Sequence, residues 1–270
     1  GRLPMPQENN RMPVVFFGHG SPMNALEGNR YAEAWGEVGR RLPRPRAILC
    51  VSAHWTTRGT GVTAVERPRT IHDFYGFPPE LYALQYPAPG DPRLAARVRE
   101  LLAPLEVHAD REWGLDHGSW AVLRFAYPQA DVPVVQLSLD LSRPASHHYE
   151  LGRRLAPLRN EGVLLAASGD VVHNLRVMNR APGMPAFDWA ARFNARVRDC
   201  LERGAHAPLV AWEEEGDDAR MSVPTPEHYL PLLYCLGALA PGEPVWIPVD
   251  GIELGSVSML CAVFGAAAPA

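Results

Sequence analysis

Short runs that are apolar at every position alternate with amphipathic stretches along the chain, and the order of the two kinds is regular. Pro13-Val14-Val15-Phe16-Phe17 is apolar without a break, as a strand buried on both faces must be, and it ends in Gly18-His19-Gly20-Ser21-Pro22. A helical period covers residues 29–42, and a second buried strand, residues 47–52, ends at Ala53-His54-Trp55. Strand, helix and strand joined by short loops predict a right-handed βαβ unit with parallel strands. Further helices are predicted at residues 92–102, 119–127, 145–158 and 188–202, the last with Trp189, Phe193, Val197 and Leu201 at i+4 spacing. Further strands fall near Glu106, at residues 133–139 and at residues 163–167, where the chain continues as Ser168-Gly169-Asp170-Val171-Val172-His173. Thr225-Pro226-Glu227-His228 has the form of an N-cap, a first-turn proline and a first-turn acid, predicting a helix to about Leu239 with His228 near its start. Apolar residues 245–249 and 257–264 are the predicted last strands.

Only residues 61–90 break the rhythm. Val62 to Val65 alternate weakly, and a Pro, Gly and Tyr-rich segment around Phe74-Tyr75-Gly76-Phe77 follows, predicting an excursion or lid over the sheet edge. There is no internal repeat and no linker. The expected architecture is a single α/β domain, residues 13–264, with a mostly parallel central sheet flanked by helices, a flexible N-terminal segment at 1–12 and a tail at 265–270.

Composition narrows the chemistry. The 270 residues, 47% hydrophobic with a net charge of −4, describe a soluble globular protein with a sizeable core. All 26 basic residues are arginine, which excludes Schiff-base and Walker-type lysine chemistry. A mildly acidic chain without basic blocks argues against nucleic acid or an anionic membrane and for a small-molecule partner. The acidic run at 213–218 is expected to be a solvated surface loop. Cys50, Cys200, Cys235 and Cys261 form no CxxC, so they are expected to be buried thiols of a reducing cytosol. The opening residues show no basic-then-apolar signal pattern, and the longest apolar stretch is shorter than the ~20 residues a membrane span needs. A cytoplasmic location is therefore expected. The oligomeric state is not legible, because an interface needs a surface.

The placement of the ten histidines carries the functional signal. His19, His54 and His173 each follow a predicted strand, and the C-terminal edge of a parallel sheet is where ligands bind. Clustered imidazoles without thiolates suit Zn, Fe, Cu or Ni better than Mg or Ca. His117, in Gly114-Leu115-Asp116-His117-Gly118-Ser119, is a candidate acid or hydrogen-bond donor; the competing account is that Asp116 or Ser119 caps a helix and His117 is merely exposed. His72, His108, His147, His148 and His206 are expected at the surface. Trp55, Trp120, Tyr75 and Phe77 could wall a pocket for a planar substrate or simply pack the rim of the core.

Six segments in order, Gly18-His19-Gly20-Ser21-Pro22-Met23, Ser52-Ala53-His54-Trp55, Gly76-Phe77-Pro78-Pro79-Glu80-Leu81-Tyr82, Gly114-Leu115-Asp116-His117-Gly118, Ser168 to Leu175 and Pro224-Thr225-Pro226-Glu227-His228-Tyr229, resemble the class III extradiol ring-cleavage dioxygenases of the LigB superfamily. The likeness is to the DOPA 4,5-dioxygenase-like branch and runs over nearly the whole chain. It implies one α/β catalytic domain, a mononuclear non-haem metal at the C-terminal ends of the strands, no organic cofactor, and a catecholic substrate cleaved with O2. Fe(II) is the expected active metal and Zn(II) is plausible in the same site. By this resemblance His19, His54 and His228 match the metal ligands, His173 matches a base or fourth ligand, and His117 matches a contact to substrate or oxygen. Protocatechuate-type members complete the site with a glutamate, so Glu227 rivals His228 as third ligand; neighbours on a helix point about 100° apart, and one metal cannot easily take both. Two other readings stand beside the dioxygenase: a zinc-dependent hydrolase with His173 as base toward a metal-bound water, and a non-enzymatic Memo-like metal-binding module.

Overall fold

The structure, a computed structural model, describes residues 11–270. In chain order its strands are β1 (Val14–Gly18), β2 (Ala47–Thr56), β3 (Thr60–Thr63), β4 (Val107–Asp110), β5 (Val134–Leu139), β6 (Val163–Gly169), β7 (Val245–Val249), β8 (Ile252–Glu253), β9 (Val257–Ser258) and β10 (Cys261–Phe264). Eight of them form one sheet in the order β4-β3-β5-β2-β6-β1-β10-β7, and β8 and β9 form a separate hairpin. Strands β5, β2, β6 and β1 run parallel, and β10 and β7 add antiparallel edges beside β1. The expected α/β domain with a mostly parallel sheet is therefore what the chain forms.

Both faces of the central strands are covered, which explains their unbroken apolar runs. Alternate side chains of β1 go to opposite layers: Val14 and Phe16 join one core with Leu49 and Val51, and Val15 and Phe17 join the other with Ile48 and Cys50. Helices α3 (Pro92–Leu102), α5 (Ala145–Leu155), α6 (Asp188–Arg203) and α9 (Leu230–Gly237) cover the first face through Leu94, Leu151, Val197 and Leu232. Helices α1 (Arg30–Arg41) and α4 (His117–Ala126) cover the second through Trp35 and Trp120. Asn29 starts α1 by accepting from the Tyr31 and Ala32 amides, and Asp116 starts α4 by accepting from Gly118. Short helices α2 (Pro79–Tyr82), α7 (Ala207–Val210) and α8 (Asp217–Ser222) complete the fold.

Several local expectations are corrected. The predicted excursion contributes β3 to the sheet before it leaves the edge. The helix predicted from Thr225 begins only at Leu230. Pro231 has no N–H to give the carbonyl of Glu227, and the His228 carbonyl bonds the Asp170 amide instead, so residues 224–229 form turns. The acidic run folds into a short 3-10 turn and α8, with Glu215 paired to Arg196 and Asp218 paired to Arg192. His148 is buried between α5 and α9 with its Nδ1 2.8 Å from the Tyr234 hydroxyl. His72 is half-buried against the Leu84 carbonyl, His147 and His206 are half-buried, and His108 is exposed as expected. The four cysteines are buried and free. Residues 1–10 of the expected flexible segment lie outside the described residues, while Met12 is buried and bonds the Arg159 carbonyl. Among the described residues, no helix is long and apolar enough to cross a membrane.

One buried ion pair closes the end of the sheet opposite the histidines. The Arg159 guanidinium makes two 2.7 Å bonds to Glu243 and also donates to the Met12 and Ala238 carbonyls. Arg159→Ala strands the Glu243 carboxylate with little beyond the Ala240 amide and Arg11. A loss of about 3–5 kcal/mol is expected, read as a lower urea midpoint at an unchanged slope.

Candidate active site

The C-terminal ends of β1, β2 and β6 bring the histidines together. His19 follows β1 directly, and its amide bonds the Gly169 carbonyl at the end of β6. His54 lies within β2 and not beyond it, because β2 outruns its neighbours: pairing with β6 stops at Ser52 and the register with β5 shifts after Val51. The extra turn of extended chain carries His54 over the sheet edge. His117 is the first residue of α4 and is buried, so Asp116 caps the helix while His117 turns inward rather than to solvent. His173 follows β6, held by its amide to the Ser222 carbonyl and by a bridge to Val257. His228 sits in the turn before α9, which lies hard against Gly169; a Cβ there would be 2.2 Å from the His228 carbonyl oxygen, so only glycine permits the approach.

All five predicted histidines meet. The His19 ring centroid is 5.0 Å from that of His54, 5.6 Å from His117 and 5.4 Å from His228, and His54 lies 3.9 Å from His117. His173 stacks flat on His228 at 3.5 Å and 6°. Three sets of possible ligand atoms fall within 4.8 Å of one another: His19, His54 and His117; His19, Asp170 and His228; and His173, Glu227 and His228.

The second nitrogen of each ring shows which way it is turned. His19 Nδ1 is 2.9 Å from the Ser168 hydroxyl, and His228 Nδ1 is 3.2 Å from Glu227 Oε1. His54 Nδ1 faces Asp73 Oδ2 at 3.6 Å. The opposite nitrogens point inward: His19 Nε2 and His54 Nε2 are 3.1 Å apart, and His228 Nε2 is buried with no hydrogen-bond partner. Two imidazole nitrogens bound side by side to one ion at about 2.1 Å would stand about 3 Å apart, so the donor set fits a metal. Asp170 adds to the fit, since its fully buried Oδ1 accepts from Gly20 while Oδ2 has no hydrogen-bond partner and lies 3.4 Å from His19 Nε2.

Burial sets the charge state of the cluster. It is the largest cause holding the His19 and His54 pKa values well below the ordinary histidine range, with neighbouring imidazoles adding to it. Burial first, and His228 second, bring His173 down to about 3. His228 is lowered by burial against the opposing pull of Glu227. Burial works against the Glu227 carboxylate, but bonds from His228, its own backbone and Thr225 hold it at about 2. At neutral pH these rings are neutral and offer lone pairs, while Glu227 is an anion whose partner is the His228 ring. Burial raises Asp170 well above the carboxylate range, as expected of an acid with one oxygen unpaired.

The aromatic surround differs from the expected set. Tyr75 is 94% exposed and Trp120 is fully buried, its indole donating to the Ile71 carbonyl. Phe74, adjacent to Tyr75, is the ring that meets His117 edge-on at 5.5 Å, and Phe77 packs on Phe74. Trp55 stacks on Trp113 at 5.7 Å. Sequence reasoning missed Asp73 and did not single out Asp170, Ser168 or Ser52. Ser168, Asp170 and Ser52 lay inside quoted motifs, but nothing in their spacing showed that Ser168 and Asp170 face His19 or that Ser52 holds Asp116.

The C-terminal edge of an α/β sheet thus gathers five imidazoles and orphaned polar atoms into one cluster whose donor set could hold a metal ion. Residues 15–253 match the family described as the catalytic LigB subunit of aromatic ring-opening dioxygenase, and the chain belongs to that family of oxygenase enzymes. It is 56% identical over 262 residues to an Escherichia coli K12 protein named 4,5-DOPA dioxygenase extradiol, covering 95% of this chain and 96% of that one. A Beta vulgaris protein of the same name is 39% identical over 244 residues, covering 87% of this chain and 89% of its own length. A crystal structure of an uncharacterized Escherichia coli K12 protein superposes with a TM-score of 0.83 at 52% identity, over 94% of this chain and all of the other. Family membership implies a small aromatic substrate and O2.

Proposed function

We propose that this chain cleaves a DOPA-like catechol beside its diol, as a 4,5-extradiol dioxygenase, with one metal ion held by His19, His54 and His228. The observation that carries the reading is the inward turn of these three rings, with Ser168, Asp73 and Glu227 facing their Nδ1 atoms, the Nε2 atoms of His19 and His54 3.1 Å apart and that of His228 buried without a partner. It also favours His228 over Glu227 as ligand, because Glu227 is engaged as the partner that orients the ring. Residues 13–264 are the catalytic unit, with 265–270 as a tail. Fe(II) held by these residues would supply the redox chemistry that joins a catechol to O2. Zn(II) suits the same nitrogens but has no redox chemistry, so a zinc-filled protein is expected to be inactive.

The protein's own groups handle orientation and protons. His173, neutral and stacked on His228, accepts a catechol hydroxyl proton; a bound phenolate beside it stabilises the imidazolium and lifts its pKa from about 3. His117 approaches from the α4 side, placed to contact the substrate or O2. Phe74 and Phe77 give the planar substrate an apolar wall.

The test is to strip the protein of metal, reload it anaerobically with Fe(II), add DOPA and admit oxygen. One O2 consumed per catechol with a new yellow semialdehyde absorbance, absent with Zn(II), is expected. No uptake across a catechol panel with iron demonstrably bound would overturn the reading, and turnover of esters with Zn(II) in its place would establish the hydrolase.

A further inference from the structure

We propose that Asp73 is the positioning residue for His117: it fixes the ring with its proton on Nδ1 and so presents a bare Nε2 to the substrate. The role given to His117 rests on the dioxygenase reading above; the tautomer does not.

Asp73 reaches His117 twice. Its Oδ1 accepts the His117 backbone amide at 2.9 Å, and its Oδ2 lies 2.9 Å from His117 Nδ1. The first contact satisfies one of the free amides of the first turn of α4, so the carboxylate is tied to the same residue whose ring it faces. The second is short but not aligned with a ring N–H, and His117 Nδ1 has no other partner. Nitrogen and oxygen at that distance repel unless a proton lies between them, and a carboxylate can only accept. The proton therefore belongs to Nδ1, and a small rotation of the ring or carboxylate completes the bond. Contacts that await substrate before aligning are common at catalytic histidines.

Asp73 is held by its neighbours. Two residues away, Ile71 donates its amide to the Leu115 carbonyl and receives the Trp120 indole, and His72 bonds the Leu84 carbonyl. On the other side Phe74 meets the His117 ring edge-on. The adjacent carboxylate cannot replace Asp73, because Asp116 is already engaged with Ser52, Gly118 and Gln136. Nor is His54 the primary partner: its Nδ1 stands 3.6 Å from Asp73 Oδ2, outside hydrogen-bond range. The loop thus brings a carboxylate to a histidine in the orienter-and-imidazole arrangement that sets which ring nitrogen is free.

Asp73→Asn tests this with little change of shape. If the amide oxygen keeps the helix amide, the amide nitrogen faces His117 Nδ1 and donates to it, which drives the ring proton to Nε2. Long-range proton–nitrogen spectra of uniformly 15N-labelled, metal-free protein, with His117 assigned by its loss in His117→Gln, are expected to show Nδ1–H in the wild type and Nε2–H in Asp73→Asn. Asp73→Glu, which keeps a carboxylate, is expected to retain the Nδ1–H form. In the iron-loaded protein Asp73→Asn should lower kcat about 10- to 100-fold at unchanged metal content and with a smaller change in KM. An Nε2–H ring in the wild type, or an unchanged ring in folded Asp73→Asn, overturns the proposal. So does metal loss with an unchanged ring, which would place Asp73 behind His54. Because the spectra need neither metal nor substrate, a protein without ring-cleaving activity would fail the functional reading and leave the tautomer result intact.

Discussion

His19→Ala is expected to remove metal and turnover together, leaving less than a tenth of an ion per chain after dialysis and oxygen uptake at background. His19 touches more of the cluster than any other ring described: Nε2 faces His54 Nε2 at 3.1 Å and Asp170 Oδ2 at 3.4 Å, while Nδ1 is held by Ser168. Its loss takes one of the three proposed ligands and leaves His54 and Asp170 facing a gap. Alanine is smaller and adds no charge, and the β1 backbone around it is fixed by parallel pairing to β6, so the fold should persist. His54→Ala should behave alike, because the bulged end of β2 serves to deliver that ring. His108→Ala, on the exposed face of β4, should keep both metal and activity and so controls for histidine removal in general. Elemental analysis and an oxygen electrode decide the matter, and steady turnover by metal-free His19→Ala would end the metal-dependent reading.

The central sheet was legible because its strands are buried on both faces, and a run such as Val14 to Phe17 has no other comfortable setting. The five histidines were legible for a different reason: His19, His54 and His173 stand at the ends of apolar runs at the sheet edge, His117 in a glycine-flanked loop and His228 in a proline-marked segment. What sequence could not show is which partners tertiary packing brings. Asp73 sits 44 residues from His117 and Ser168 sits 149 from His19, and no local pattern links such pairs. The start of α9 was misplaced because Thr225-Pro226-Glu227 has the chemistry of a helix start, whereas Pro231 and the bond between the His228 carbonyl and Asp170 override it. His148 was misplaced because its burial depends on Tyr234 of another helix. In each case a non-local contact outranked a local preference.

His173→Ala is expected to separate what His19→Ala removes together, retaining a full complement of metal while kcat falls about 10²- to 10⁴-fold, the range for losing a general acid or base. His173 shares its set of nearby ligand atoms with Glu227 and His228 and is absent from the sets that contain His19. Its ring lies flat against that of His228, an arrangement suited to packing on a ligand and poorly suited to sharing its metal, since a stacked ring directs its nitrogens along the neighbour's plane and not toward the neighbour's lone pair. Its backbone is anchored independently through Ser222 and Val257, so truncating the side chain should not displace the turn that carries His228. The remaining turnover should respond to added imidazole, because a small base can enter the space the ring vacates. Loss of metal in His173→Ala would instead make it a fourth ligand, and the proton would then have to go to His117, the other candidate beside the substrate.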